Sequence, residues 1–374
     1  MCNDQPRLPS IAYVSLEESQ RYAEATVKGS FGLSPAEKFW RDHQPHLQSR
    51  EYVLRARYRP NWRPSWLGTN LDPTYCEDSI MVSKHNVIDA IRQRDGLLVA
   101  IKATRNDTEE IAISTFLSSL KLMSDHRNHC IPLLEVMLDP LDPEMSLMVT
   151  PYMRPFNDPE FGASGEVVDF VRQSLEGLWF LHEQRVAHRD CAAMNIMMDG
   201  RPLYPHGHHP VRYGYSRDGA SELAPLARID HPVRYYFIDF GLSTHFAPGV
   251  SPSVVGAAGR DKEVPELSLD VPYDAFKVDI FAMGNLYDKE LVQKYQGLEF
   301  LQPLIDVMKQ RDPERRPSAE QAFRSFEGIR STLSNASLRW RLRPRTESMS
   351  ERVLYDTVAV AREGVHHLKR LVVA

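Results

Sequence analysis

The chain has 374 residues, 42% of them hydrophobic and 25% charged, with a formal net charge of −5 at pH 7. That length exceeds one ordinary core and suits two lobes with extensions, and the acidic balance argues against a general nucleic-acid binder. Its four cysteines, Cys2, Cys76, Cys130 and Cys191, include no C-x-x-C pair, which argues against a zinc site or a disulfide framework. No run approaches the ~18 apolar residues of a membrane span, and the opening Met1 to Pro6 lacks the apolar core of a secretion signal. The expectation is a monomer in the cytoplasm or nucleus, with reduced thiols and no membrane or nucleic-acid partner.

Residues 1–30 are polar with proline breaks and read as a flexible N-terminal segment. Residues 31–80 read as an extension packing on a smaller lobe. Within it, Ser34-Pro35-Ala36-Glu37 is a capping-box pattern opening a short helix toward Phe39-Trp40. Tyr52 to Trp66 mixes arginine with Tyr, Trp and proline; a nucleic-acid surface uses such a mixture, but in an acidic chain arginines stacked on the smaller lobe are the better reading. Strand-like segments then lead to Val99-Ala100-Ile101-Lys102, and Thr108 to Leu117 continues as a helix. Of its adjacent acids, Glu110 shares a helical face with Ile113 and Leu117 and should point inward.

Gly165 to Gln184 places Val168, Val171, Leu175, Leu178 and Leu181 at helical spacing, which buries one face and delivers the chain to His188. There follow His188-Arg189-Asp190-Cys191-Ala192-Ala193-Met194-Asn195 and, downstream, Asp239-Phe240-Gly241. Between them, residues 199–234 are rich in proline, glycine, arginine and histidine and read as a surface excursion. His206, His208 and His209 lie there, but with no cysteine or paired carboxylates nearby they read as a solvated loop rather than a metal site. The tail, 331–374, has a basic stretch from Arg339 to Arg345 and a second capping box at Ser348-Met349-Ser350-Glu351. Beyond it Leu354, Val358, Ala361, Val365, Leu368 and Val372 form an apolar stripe expected to dock on the body of the protein.

The V-A-I-K, H-R-D-x-x-x-x-N and D-F-G motifs occur in the order of the protein-kinase signature set. From about Met81 to Arg324 the chain resembles a eukaryotic protein-kinase catalytic domain, and in particular the divergent kinase-like proteins of fungi. Val264-Pro265-Glu266 resembles the A-P-E that ends the activation segment, and Arg316 the late arginine that pairs with its glutamate. Asp279 resembles the buried helix aspartate that holds the catalytic loop. Leu147 to Met153 resembles the fifth strand and hinge, which implies Thr150 as gatekeeper and Ala100, Tyr152 and Met153 beside the adenine. The implied fold is α+β and bilobal: a small β-rich lobe and hinge over 81–153, and a larger, mainly helical lobe over 154–330 carrying the 199–234 insert.

A transferred phosphoryl group spreads charge over its oxygens, so cations must reach them and a hydroxyl must be aimed in line. Carboxylate and amide oxygens suit Mg²⁺, which makes Asp239 and Asn195 the expected metal ligands. Asp190 is the expected base, and Lys102, paired with Glu110, the expected grip on the phosphates. The implied cofactors are ATP and Mg²⁺, and the implied partner is a protein substrate, with serine or threonine acceptors favoured over tyrosine. The alternative is a nucleotide-binding or inactive pseudokinase that serves as an interaction scaffold.

Two departures bear on activity. Met81 to Ile88, where G-x-G-x-x-G is expected, contains no glycine, although glycines there let backbone N–H groups approach phosphate. Ala192 and Met194 occupy the catalytic-loop places where serine/threonine kinases carry lysine and tyrosine kinases arginine. A charge missing about 4 Å from a phosphate is worth roughly 4 kcal/mol at an effective dielectric near 20, on the order of a thousandfold in rate. Lys84 is the compensating cation that the sequence offers. In the activation segment, Ser243, Thr244, Ser251 and Ser253 are candidate phosphate acceptors, with Arg189 as their bidentate partner.

Overall fold

Along Leu97–Arg105 the side chains alternate between a buried face, with Val99, Ile101 and Ala103, and an opposite face bearing Ala100 and Lys102. This period organises the first of two compact units in the computed structural model, which describes residues 8, 10–82, 85–353 and 355–357.

The first unit comprises Met1–Ile111, Pro132–Met153 and Tyr204–Pro225. Helices α1 (Leu16–Val27) and α2 (Pro35–Ser49) precede a five-stranded antiparallel sheet of β1 (Tyr52–Val53), β2 (Val87–Arg92), β3 (Leu97–Arg105), β4 (Glu135–Leu138) and β5 (Met145–Pro151), in the order β1-β2-β3-β5-β4. The β2–β3 hairpin turns at Gly96, whose φ of 70° suits glycine, and Asp95 accepts the N–H of Leu97. Trp40 and Leu47 of α2 complete the core formed by Ile88, Ala90, Val99, Ile101, Leu147 and Val149.

Three expectations about this unit change. Residues 16–27, assigned to a flexible segment, form α1, because Ser15 and Glu18 make a reciprocal capping box. The helix that Ser34 caps runs on to Ser49, well past Trp40. The sheet also starts upstream of residue 81: Tyr52 and Val53 pair with Arg92 and Ile91, so the 31–80 stretch contributes an edge strand as well as packing. Of its arginines, Arg57 is buried with its Nε 2.7 Å from Glu37 Oε1 and its guanidinium 4.8 Å from the Trp62 ring centroid. Such a desolvated pair is strongly destabilising to break, by about 3–5 kcal/mol, because the remaining charge is stranded.

Helix α3 (Glu110–Leu117) ends in the second unit, which comprises Ala112–Ile131, Arg154–Leu203 and Leu226–Ala374. There α4 (Leu120–Met123), β6 (Arg154–Pro155) and the long α5 (Ser164–Glu183) lead to β7 (Val186–Ala187), β8 (Ile196–Met198), β9 (Tyr235–Phe237) and β10 (Thr244–His245). β6, β8 and β9 form a three-stranded sheet, and β7 pairs with β10. Then come β11 (Ser253–Gly256), β12 (Ser268–Asp274), α6 (Ala275–Tyr287), β13 (Tyr295–Gln296), α7 (Gln302–Met308), α8 (Ala319–Ser331), α9 (Asn335–Arg339) and β14 (Arg343–Pro344). Helix α6 starts where the Asp274 side chain caps Phe276 and Lys277, and almost every residue after it is buried.

The insert is less of an excursion than its composition suggests. The Asp199 N–H donates to Arg234 O at 2.9 Å and closes its base. Its middle, Tyr204–Pro225, belongs to the first unit, where His208 and His209 are buried. His209 Nδ1 accepts the N–H groups of Val211 and Arg212, its Nε2 lies 3.4 Å from Glu77, and Arg212 donates to Thr74 O. These partners remove the solvated-loop reading for His208 and His209. Among the described residues no group of three or more His, Cys, Asp or Glu side chains could hold a metal ion. In the tail, Arg341 pairs with Glu347 and Asp356, Arg343 with Asp356, and Ser348 with Glu351 in the capping box. Of the apolar stripe beyond, Leu354, Val358, Ala361, Val365, Leu368 and Val372 lie outside the described residues, as does Lys84. Among the described residues no helix is long and apolar enough to cross a membrane.

Candidate active site

In the first unit, the register Ala100↔Thr150 and Lys102↔Met148 puts Ala100, Lys102 and Thr150 on the sheet face away from the core. Lys102 Nζ donates to Glu110 Oε1 at 2.5 Å. Glu110 is buried, with Ile113 and Leu117 on the same helical stripe, whereas Glu109 is exposed. Beyond β5, Tyr152 N–H donates to Leu98 O, and its hydroxyl donates to Pro210 O of the insert at 2.5 Å; Met153 is buried.

Val87 and Ile88, within the stretch where the glycine motif is expected, lie in β2, which pairs with β1 on one side and β3 on the other. Asp89, opposite Ala100, shares the outer face. Arg55 holds it at 3.0 Å and also contacts Glu77 at 3.1 Å. Burial opposes charge on Glu77, yet His209 and Arg55 hold its pKa below the usual carboxylate range.

In the second unit, His188 to Asn195 lie between β7 and β8, and Asp239 between β9 and β10. His188 Nε2 lies 3.0 Å from Ile238 O, and Ile238 N–H donates to Asn195 O at 2.9 Å, so the two loops are stitched together next to Asp239. Asn195 Nδ2 donates to Asp190 Oδ2 at 2.7 Å and to Asp190 O at 3.0 Å. Arg189 and Asp239 have φ of 63° and 64°, an uncommon conformation for non-glycine residues; at Arg189 the backbone N–H is held by Asp279. Cys191, between Asp190 and Ala192, is fully buried; burial first, and then the Asp279 carboxylate, push its thiol well above its ordinary range, which makes it a poor nucleophile.

Asp279 on α6 accepts the N–H groups of His188 and Arg189. Farther on, Glu266 and Arg316 form a bidentate pair, with Nη2 to Oε2 at 2.8 Å. Arg189 donates to Thr244 Oγ1 at 3.2 Å and to Val255 O. Ser243 is buried and bonds His188 O, so it is closed to modification in this conformation, whereas Ser251 and Ser253 are exposed. Two contacts have no sequence motif: His182 Nε2 lies 3.0 Å from Asp279 Oδ2, and Arg260 bonds Asp190 through backbone and side chain.

The donor chemistry at Asn195 and Asp239 fits Mg²⁺, which takes only one or two protein oxygens and keeps several waters. The amide nitrogen of Asn195 is committed to Asp190, which leaves its oxygen for a cation. Residues 82–204 match the family model for protein tyrosine and serine/threonine kinases; the matched stretch includes Lys102, Glu110, Asp190 and Asn195 and ends before Asp239.

Proposed function

We propose that this chain, which belongs to the protein kinase superfamily, transfers the γ-phosphoryl group of ATP to a protein hydroxyl, with serine or threonine preferred. Asp190 takes the acceptor hydroxyl's proton as its oxygen bonds to the γ-phosphorus; the bond to the β-bridging oxygen breaks, and its electron pair leaves with ADP. Lys102 grips the α and β phosphates, and Glu110 holds the lysine in place. Asn195 and Asp239 would hold Mg²⁺, which when bound neutralises phosphate charge. Ala100, Thr150, Tyr152 and Met153 would flank the adenine.

The observation that carries this reading is the 2.5 Å pair between Lys102 and Glu110, on the face shared with Ala100 and Thr150. Buried Glu110 fixes the lysine on that face, which supports a role for Lys102 in gripping phosphate. The test is radiolabelled phosphate transfer by wild type and by Asp190→Asn: transfer by the wild type alone supports the proposal, and matched background signals refute it.

A second reading, a noncatalytic interaction platform, is favoured by one feature. Asp89, opposite Ala100 on the same sheet face, is buried and paired with Arg55, which also pairs with Glu77, and His209 of the insert lies against Glu77, so the chain's own groups occupy that part of the face. A platform of this kind would leave both proteins in the transfer assay at background.

A further inference from the structure

Between Asp190 and Asn195 the loop reads Cys191-Ala192-Ala193-Met194, so the loop itself brings no cation to the base. One arrives from the activation segment. The Arg260 N–H donates to Asp190 Oδ1 at 2.7 Å, and its Nε lies 3.3 Å from Asp190 Oδ2. Asp190 is 8% exposed, whereas the Arg260 side chain is 51% exposed. We infer that Arg260 supplies the positive charge missing from the catalytic loop and meets the γ-phosphoryl group of ATP beside Asp190. The inference rests on the phosphotransferase reading of Asp190.

The position of Arg260 is fixed from both sides. A Cβ on Gly259 would lie 2.8 Å from Arg189 O, so only glycine lets the segment approach closely enough for the next N–H to reach Asp190. On the other side Asp261 Oδ2 accepts from Asn285 Nδ2 of α6 at 2.7 Å, and Glu266 is clamped by Arg316. The chain on either side of Arg260 is therefore anchored to α6 and to the catalytic loop, which holds its backbone in register with Asp190.

Guanidinium chemistry suits the role. Nε is engaged with Asp190, while the terminal nitrogens carry further donors in a planar fork that matches two phosphate oxygens. Arg260 exchanges no atoms in the transfer: the proton goes to Asp190 and the electron pair leaves with ADP, while the guanidinium offsets charge on the γ oxygens. It also ties the activation segment to the base, so a displaced segment would remove the cation from the site.

The test uses the full chain with Arg260→Ala and Arg260→Lys, measuring phosphate transfer to dephosphorylated casein together with calorimetric binding of Mg²⁺-ATP and Mg²⁺-ADP. The expected result for Arg260→Ala is a kcat about 10²–10³-fold lower, as for loss of one preorganised charge-stabilising donor. The preference for ATP over ADP falls at least about tenfold, lysine restores part of both, and the unfolding midpoint stays put. Faster transfer by Arg260→Ala would overturn the inference by showing that Arg260 plugs the base, and unchanged transfer with unchanged nucleotide preference would overturn it equally. A wild type that binds Mg²⁺-ATP without transferring phosphate would refute the kinase reading alone, and the ATP-to-ADP comparison would still decide the role of Arg260. A wild type that binds neither nucleotide would overturn both.

Discussion

Asp279 accepts the backbone N–H of Arg189 through Oδ1 at 2.7 Å, while its Oδ2 takes the N–H of His188 at 2.8 Å. The carboxylate is fully buried, so a helix side chain sets the backbone path of the loop that carries Asp190. Asp279→Asn turns one acceptor into a donor facing an N–H. The expected loss is about 2–3 kcal/mol in urea unfolding, as for a buried hydrogen bond to a charged group. Phosphate transfer should fall with it, because Asp190 shifts; unchanged stability would mean that other contacts hold the loop.

Acid should weaken the first unit through Glu37 and Glu77. Burial opposes ionisation of Glu37, but Arg57 and the N–H of Ser34 outweigh it and hold its pKa low, as His209 and Arg55 do for Glu77. Their folded pKa values lie below the unfolded ones, so this stability is complete above the ordinary carboxylate value of about 4.3 and declines as pH falls through the depressed values. Melting temperature measured against pH should drop on that acid limb. Replacing Glu77 with Gln should flatten the drop; an unchanged acid limb would exclude this carboxylate as its source.

His209→Ala removes the acceptor for two backbone N–H groups and the contact to Glu77 in a buried setting. The expected destabilisation is about 1–3 kcal/mol by urea unfolding. Protease sensitivity of the insert should rise as well, and a wild-type cleavage pattern would show that the insert is held by other means.

Arg316→Lys tests whether the pairing with Glu266 depends on geometry or on charge alone. Arg316 is buried, and a lysine cannot reproduce the two parallel bonds. Losing one of the two charge-assisted bonds should cost about 1.5–3 kcal/mol by chemical unfolding. Wild-type stability in the lysine variant would mean that a point charge suffices.

What the sequence makes legible is local or motif-bound. The alternation through Val99 and Ile101 identifies β3, and the Glu110, Ile113 and Leu117 stripe picks the inward acid, because both signals span a few residues. β1 escapes notice because two residues, Tyr52 and Val53, carry no readable period and pair with a strand far along the chain. The packing of His209 on Glu77 and of Arg260 on Asp190 depends on contacts between distant segments, which composition does not encode. The capping box at Ser15 and Glu18 was readable, and the surrounding polarity masked it.

The most direct test is calorimetric titration of ATP, with and without Mg²⁺, into wild type, Lys102→Met, Asp239→Asn and the double variant. If residue 102 and residue 239 serve one magnesium nucleotide, wild type binds ATP more tightly with Mg²⁺. Asp239→Asn then loses that metal dependence, and the two substitutions combine with a coupling of about 0.5–3 kcal/mol. Undiminished Mg²⁺-ATP affinity in both single variants would contradict the account.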